Sequence, residues 1–136
     1  MEPFVLDSSF ALAWCFSDER TARTDEVRGW LLGTYAVTLP LWKWEVTNGL
    51  LVAHRRKRIS ADDVRDALRR FAALPIRIDP DRANVASASL FDLAQLHALT
   101  GYDTSYLELA QRLQLPLATL DQALANAATK AGVKVL

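Results

Sequence analysis

"PFVLDSS", Pro3 to Ser9, is the stretch that decides the fold. Phe4, Val5 and Leu6 form a short apolar run of the kind that makes a buried strand. Asp7 then puts a charge where that strand must end. Ser8, or Asp7 itself, supplies the N-cap of a helix reaching to Phe16. Four further short apolar runs follow: AVT (36–38), IRI (76–78), PLAT (116–119) and VKVL (133–136). Between them the pattern is helical. One helix is expected over Thr21–Leu32, stopped by Gly33, and another from Pro40 to about Lys57. "SADD" opens a helix over Ser60–Leu74 with a cap and first-turn acids, and Pro75 ends it. Three more are expected over Asn84–Leu99, Asp103–Leu113 and Asp121–Ala131.

Strands alternating with helices favour parallel pairing through right-handed crossovers. The strands read as continuous apolar runs, as expected when both faces are covered. The expected fold is therefore α/β: a three-layer α/β/α sandwich with a small, mainly parallel sheet, in a single domain spanning 1–136. No internal repeat, linker or low-complexity segment interrupts it.

Charge balances to zero overall, so bulk charge points to no polyanionic partner. The distribution is uneven. Residues 54–70, "HRRKRISADDVRDALRR", are the one basic concentration, and a nucleic-acid footprint need only be local. Cations also suit a helix C-terminus, which gives His54 to Arg58 a purely structural reading. Cys15, the only cysteine, has apolar neighbours and fits a core thiol in a reducing compartment. With no basic leader and no long apolar run, the chain is expected to be cytoplasmic.

Ligands of open parallel sheets bind beyond the C-terminal ends of the strands. Asp7 stands after the first strand. Glu45 stands on the helix after the second, and Asp121 after the fourth. Asp103 opens the helix leading to that fourth strand. Taken singly, Asp7, Asp103 and Asp121 all read as helix caps. Glu45 reads as a helix surface residue, although Trp42, Trp44, Val46 and Leu50 around it are apolar. Taken together, several of these acids are expected to converge on one edge of such a sheet. Clustered carboxylates repel, so their pKa values rise or a cation neutralises them. An oxygen-only donor set suits Mg²⁺ or Mn²⁺. Such an ion polarises a phosphate oxygen and activates water, which is equipment for phosphodiester hydrolysis.

At these residues the chain resembles the PIN-domain family, and within it the VapC-type toxin ribonucleases of prokaryotic toxin–antitoxin modules. The resemblance is carried by "VLDSSFALAW" with Asp7 and "EVTNGL" with Glu45 and Asn48. It continues in "ALTGYDTSYLELA" with Asp103 and "LATLDQAL" with Asp121. It implies a Mg²⁺-dependent (or Mn²⁺-dependent) endoribonuclease, a homodimer, and a VapB-type antitoxin partner. Asp7 and Asp103 are then the expected metal ligands, with Glu45 and Asp121 completing the pocket. RNA is the implied substrate, cut to leave a 3′-hydroxyl and a 5′-phosphate, and a second metal can arrive with it.

Other residues have two readings each. Asn48 could orient a carboxylate or a water, or be an ordinary polar helix residue. Ser9 and Thr119 could bond the acids, but local backbone bonding is the expected use. Trp42 and Trp44 cannot share a helix face, so one is expected at the surface, against a second copy or an antitoxin. His54 and His97 are too few and too scattered for zinc. A receiver-type domain would show single crossover helices, and a haloacid-type phosphatase would have an acid where Ser9 stands. A non-catalytic PIN-like scaffold binding RNA or protein is the remaining alternative.

Overall fold

The computed structural model describes residues 1–81 and 84–136. The elements run β1 (Phe4–Leu6), α1 (Ser8–Ala13), α2 (Ala22–Trp30), β2 (Ala36–Thr38), α3 (Pro40–Arg55) and α4 (Ala61–Ala73). They continue as β3 (Ile76–Ile78), α5 (Ser87–His97), α6 (Gly101–Leu113), β4 (Leu117–Ala118) and α7 (Gln122–Lys130). The sheet has four strands in the order β3-β2-β1-β4, and every pairing is parallel. The α/β architecture expected from the sequence is thus present, with seven helices among the described residues flanking the sheet.

Strand order fixes where the helices go. The chain steps from β1 to β2 to β3 in one direction and returns past both to reach β4. Right-handed crossovers then put α1–α4 on one face and α5–α6 on the other. Packing agrees: α3 touches α1 and α4, while α6 touches α5 and α7. The two strands whose following helices leave to opposite faces are β1 and β4. The crevice of such a sheet opens at the C-terminal ends of that pair.

β1 lies inside the sheet and is fully buried across Phe4, Val5 and Leu6. The expectation of two covered faces fails for β3. It is an edge strand with Arg77 and Ile78 exposed, and Arg77 lies over the Tyr35 ring at 3.6 Å. An inward-looking apolar triplet cannot say whether its neighbour strand exists on both sides. A second correction concerns 133–136, which does not form a strand. It makes one parallel bridge, Val135 to Leu117, because β4 itself is only two residues long. The helices over 84–99 and 103–113 are also shifted, to Ser87–His97 and Gly101–Leu113.

One close approach matters for the site. A Cβ on Gly49 would stand 2.6 Å from Leu12 Cδ1. Gly49 therefore lets α3 settle onto α1. Glu45 lies one turn before Gly49 on the same side of α3, and Asp7 immediately precedes α1. This contact brings those two elements, and the acids they carry, together.

Candidate active site

The register explains how Asp7 and Thr119 meet. Val5 pairs with Leu117 and Leu6 with Ala118, so the next residues, Asp7 and Thr119, stand side by side beyond the strand ends. The Asp7 N–H donates to Ala118 O at 3.0 Å, extending the ladder by one bond. Asp7 is only 3% exposed. It occupies the N-cap position of α1, yet its side chain makes no cap hydrogen bond. The carboxylate is held by hydroxyls instead. Ser9 Oγ donates to Oδ2 at 2.6 Å, and Thr119 Oγ1 donates to the same oxygen at 2.7 Å.

The direction of those protons is enforced. Ser9 Oγ accepts the Leu120 N–H at 3.0 Å, and Thr119 Oγ1 accepts the Asp121 N–H at 3.1 Å. Each hydroxyl has a single proton, and the neighbouring N–H turns it toward Asp7. Oδ2 is thereby doubly satisfied. Oδ1 keeps only a long contact from Ser8 Oγ, at 3.4 Å, and remains open as a ligand. Of the two readings for Ser9 and Thr119, both hydroxyls bond the acid, and Thr119 also makes the local backbone bond, because the parallel register places a hydroxyl beyond β4 beside an acid beyond β1.

Glu45 is half-buried near the start of α3. Its Oε1 accepts the Tyr106 phenol at 2.6 Å, and Tyr106 is fully buried on α6. Burial raises the Glu45 carboxyl above its ordinary range. The Tyr106 bond opposes this, and the charges of Asp7 and Asp103 add to the rise. Burial likewise raises Tyr106, helped by its bond to Glu45, so the phenol stays a donor. Sequence reasoning missed Tyr106. Its position three residues after Asp103, on the next turn of α6, was the available signal.

Asp103 is not the cap of α6. Thr100 is, accepting the Asp103 N–H at 3.1 Å. In α4 the equivalent acid, Asp63, returns the favour by accepting the N-cap N–H of Ser60. Asp103 returns no such bond, so its carboxylate is not used by the cap. Burial raises its pKa, and the charges of Asp121 and Asp7 raise it further, with Thr100 opposing. Asp121 does cap α7, accepting the Leu124 N–H through Oδ1 at 2.8 Å. The four acids are therefore electrostatic neighbours at one sheet edge, linked pairwise through Glu45 and Asp103.

They do not form a closed ligand cage. Among the described residues no group of three His, Cys, Asp or Glu side chains is drawn close enough to hold an ion. Nor does any ion pair among the described residues involve these four carboxylates. An oxygen-only set with mutual repulsion and no protein cation suits a hard divalent cation.

The other candidates sort themselves by place. Asn48 is exposed. Trp42 is buried against Phe71, ring centroids 5.4 Å apart, and Trp44 is the exposed member of the pair at 67%. The basic stretch from His54 lies at the C-terminal end of α3, about 15 Å along the axis from Glu45. Arg58 is committed to Asp18 and Glu19, while Arg65 and Arg69 pair with Asp62 and Asp66. A cavity of about 840 Å³ lies at that end too, between Trp14, Cys15, Arg28, Arg58 and Arg70. None of the four acids lines it. Burial pushes the Cys15 thiol up to about 11, with Arg70 and Arg28 opposing, so it stays protonated at neutral pH.

Comparison with known proteins gives this arrangement a class. The family model of the PIN domain matches residues 4–130, and the chain belongs to the PIN-domain family. Members of that family are generally nucleases that use divalent metal ions, and they typically bind RNA. In fold the chain is similar to the crystal structure of PAE2754 from Pyrobaculum aerophilum, with a TM-score of 0.67 and 19% identity. That match covers 98% of this chain and 88% of the other. It is also similar to a PilT N-terminus domain protein, SSO1118, from the hyperthermophilic archaeon Sulfolobus solfataricus P2. There the TM-score is 0.46 and the identity 16%, over 100% of this chain and 86% of the other. Among curated proteins none matches. No helix among the described residues is long and apolar enough to cross a membrane.

Proposed function

We propose that the chain is a metal-dependent endoribonuclease and the toxin of a VapBC-type toxin–antitoxin module. The observation that carries this is the buried Asp7 carboxylate beyond the β1 and β4 ends, aimed by Ser9 and Thr119 beside the Tyr106-held Glu45, with no ion pair to Asp7, Glu45, Asp103 or Asp121 among the described residues. Asp7 and Asp103 would hold Mg²⁺ or Mn²⁺ directly, and Glu45 and Asp121 would complete the pocket. When bound, the ion supplies polarisation of a phosphate oxygen and a more acidic water.

The chain's own residues do the rest. Ser9 and Thr119 fix Asp7 so that Oδ1 faces the site. Tyr106 fixes Glu45 through Oε1. In the reaction a water oxygen bonds to phosphorus as the P–O3′ bond breaks. The 3′-oxygen leaves with a proton, giving a 3′-hydroxyl and a 5′-phosphate. A VapB-type antitoxin and a second copy of the chain are the partners this reading requires.

Incubating the purified chain with RNA and Mg²⁺ or Mn²⁺ tests the activity, with EDTA as control. Cleavage should need the metal and be lost in Asp7→Asn and Asp103→Asn. Either variant cutting at the wild-type rate would sink the assignment. Growth arrest on expression, relieved by co-expressing a short neighbouring reading frame, tests the toxin role. A non-catalytic scaffold is the second reading. The observation on its side is that the four carboxylates are not gathered into a ready-made cage. Metal-independent RNA binding without cleavage would favour it.

A further inference from the structure

On the α5 side of α6, near its N-terminal end, lies a recess of about 250 Å³ that none of the four acids lines. Leu39 and Leu41 at the β2–α3 junction and Leu90 of α5 give it an apolar wall. Tyr102, Ser105 and Glu108 of α6 line the other side. Helix geometry ties it to the site. Tyr102 lies one turn before Tyr106 on the same side of α6, and Leu41 one turn before Glu45 on α3. Tyr106 and Glu45 are hydrogen-bonded at 2.6 Å, so the Tyr102–Leu41 end of the recess adjoins Glu45. Asp103 follows Tyr102 directly in the chain. Tyr102 is nevertheless 66% exposed, an aromatic ring available to a stacking partner.

We propose that this recess seats one unpaired nucleobase next to the scissile phosphate and favours a base carrying an exocyclic amino group. The inference rests on the phosphodiesterase reading above. Any base can stack on the Tyr102 ring, since stacking on an aromatic is tolerant of base identity. Selectivity comes from the polar wall. Ser105 Oγ donates its proton to Gly101 O at 2.8 Å, so toward the recess it only accepts. The Glu108 carboxylate also only accepts. Arg112, which it shares with Asp79, bonds it at 2.6 Å and lessens its repulsion of a neighbouring phosphate. Two acceptors one helical turn apart favour an amino group, N6 of adenine, N4 of cytosine or N2 of guanine, whose two protons can meet both, over the single N3–H of uracil. The volume lies below the range of about 300–1,000 Å³ that holds drug-sized ligands, and suits one ring system. A base stacked inside a duplex cannot enter it.

The test uses a single-stranded oligoribonucleotide carrying 2-aminopurine, a fluorescent amino-bearing base. Binding is read with Asp7→Asn so that the probe stays intact, and cleavage is read with the otherwise unaltered chain. Stacking should quench the probe. Adding Tyr102→Ala should weaken binding about five- to a hundredfold, whereas Tyr102→Phe should retain it. In cleavage Tyr102→Ala should raise KM far more than it lowers kcat. Ser105→Ala should erase the preference for amino-bearing bases over uracil at the cut site. Because Tyr102 is exposed, its variants should keep the wild-type circular dichroism and Tm. Unchanged quenching and base preference in Tyr102→Ala overturn the proposal. So does a change from dimer to monomer on sedimentation with quenching intact, which would assign the recess to a second copy. Tyr102-dependent quenching without any RNA cleavage by the wild type would sink the nuclease reading and leave the subsite standing.

Discussion

Two ends of the same sheet edge bury carboxylates and treat them differently. At the end of β3, Asp79 is 3% exposed, and Arg112 reaches across from α6 to bond it at 2.7 Å. Arg112 also holds Glu108, so a single cation serves two acids and ties the edge strand to α6. At the ends of β1 and β4, Asp7 is equally buried but is held only by hydroxyls, beside Glu45, Asp103 and Asp121. The first arrangement is complete within the chain. The second spends hydrogen bonds on aiming carboxylates and leaves their charge uncompensated. Burial is common to both acids; among the described residues a protein counter-charge stands beside only one of them.

The sharpest way to break the comparison is to neutralise the acids that lack a cation. Asp103→Asn is expected to lower metal-dependent cleavage by about 10²–10³-fold, while urea denaturation without metal shows stability unchanged or slightly raised. A stability loss instead would mean that Asp103 serves the fold, as Asp79 does.

Arg112→Met is the mirror experiment and should act on stability. Removing the cation leaves Asp79 buried without its partner, so unfolding free energy should drop by about 3 kcal/mol. Metal affinity per folded molecule should be unchanged, which calorimetric titration with Mn²⁺ can read.

Tyr106→Phe probes the aiming device. It removes one hydroxyl from the core and lets Glu45 rotate. Loss of an outer partner of a metal ligand commonly lowers affinity or activity by about 10–100-fold. The expected result is a loss in that range by Mn²⁺ titration. Unaltered affinity would limit the Tyr106–Glu45 bond to packing.

The smallest effect is on the pH dependence of stability. Glu45 and Asp103 have folded-state pKa values raised above their ordinary 4.5 and 3.8. A raised acid binds more protons folded than unfolded, so stability falls as pH rises through the window above those ordinary values. Without metal the wild type should therefore lose stability across that window relative to the Glu45→Gln, Asp103→Asn double variant. Added Mg²⁺ should shrink the difference at neutral pH by stabilising the ionised, folded form. Equal slopes for the two proteins would show that burial and like charge do not perturb these groups.

Much of this was legible in the chain. Alternation of apolar triplets with helical stretches determined an α/β fold, because periodicity and turn chemistry are local properties. β1, β2 and β3 fall at 4–6, 36–38 and 76–78, where the apolar runs stand. The candidate acids could be placed too, since Asp7 and Asp121 follow strands, Asp103 lies in the first turn of α6 and Glu45 stands on the helix after β2. Their partners could not. Ser9 and Thr119 are 110 positions apart, and only the β1–β4 register makes both donate to Asp7. Tyr106 and Glu45 are 61 positions apart and meet because Gly49 lets α3 lie against α1 while α6 packs on β1 from the other face. Which acids receive a cation was likewise decided in three dimensions. Asp79 and Arg112 look no different in sequence from the pairs that never meet. A strand end specifies that a carboxylate will be there; strand order and helix packing specify what it touches.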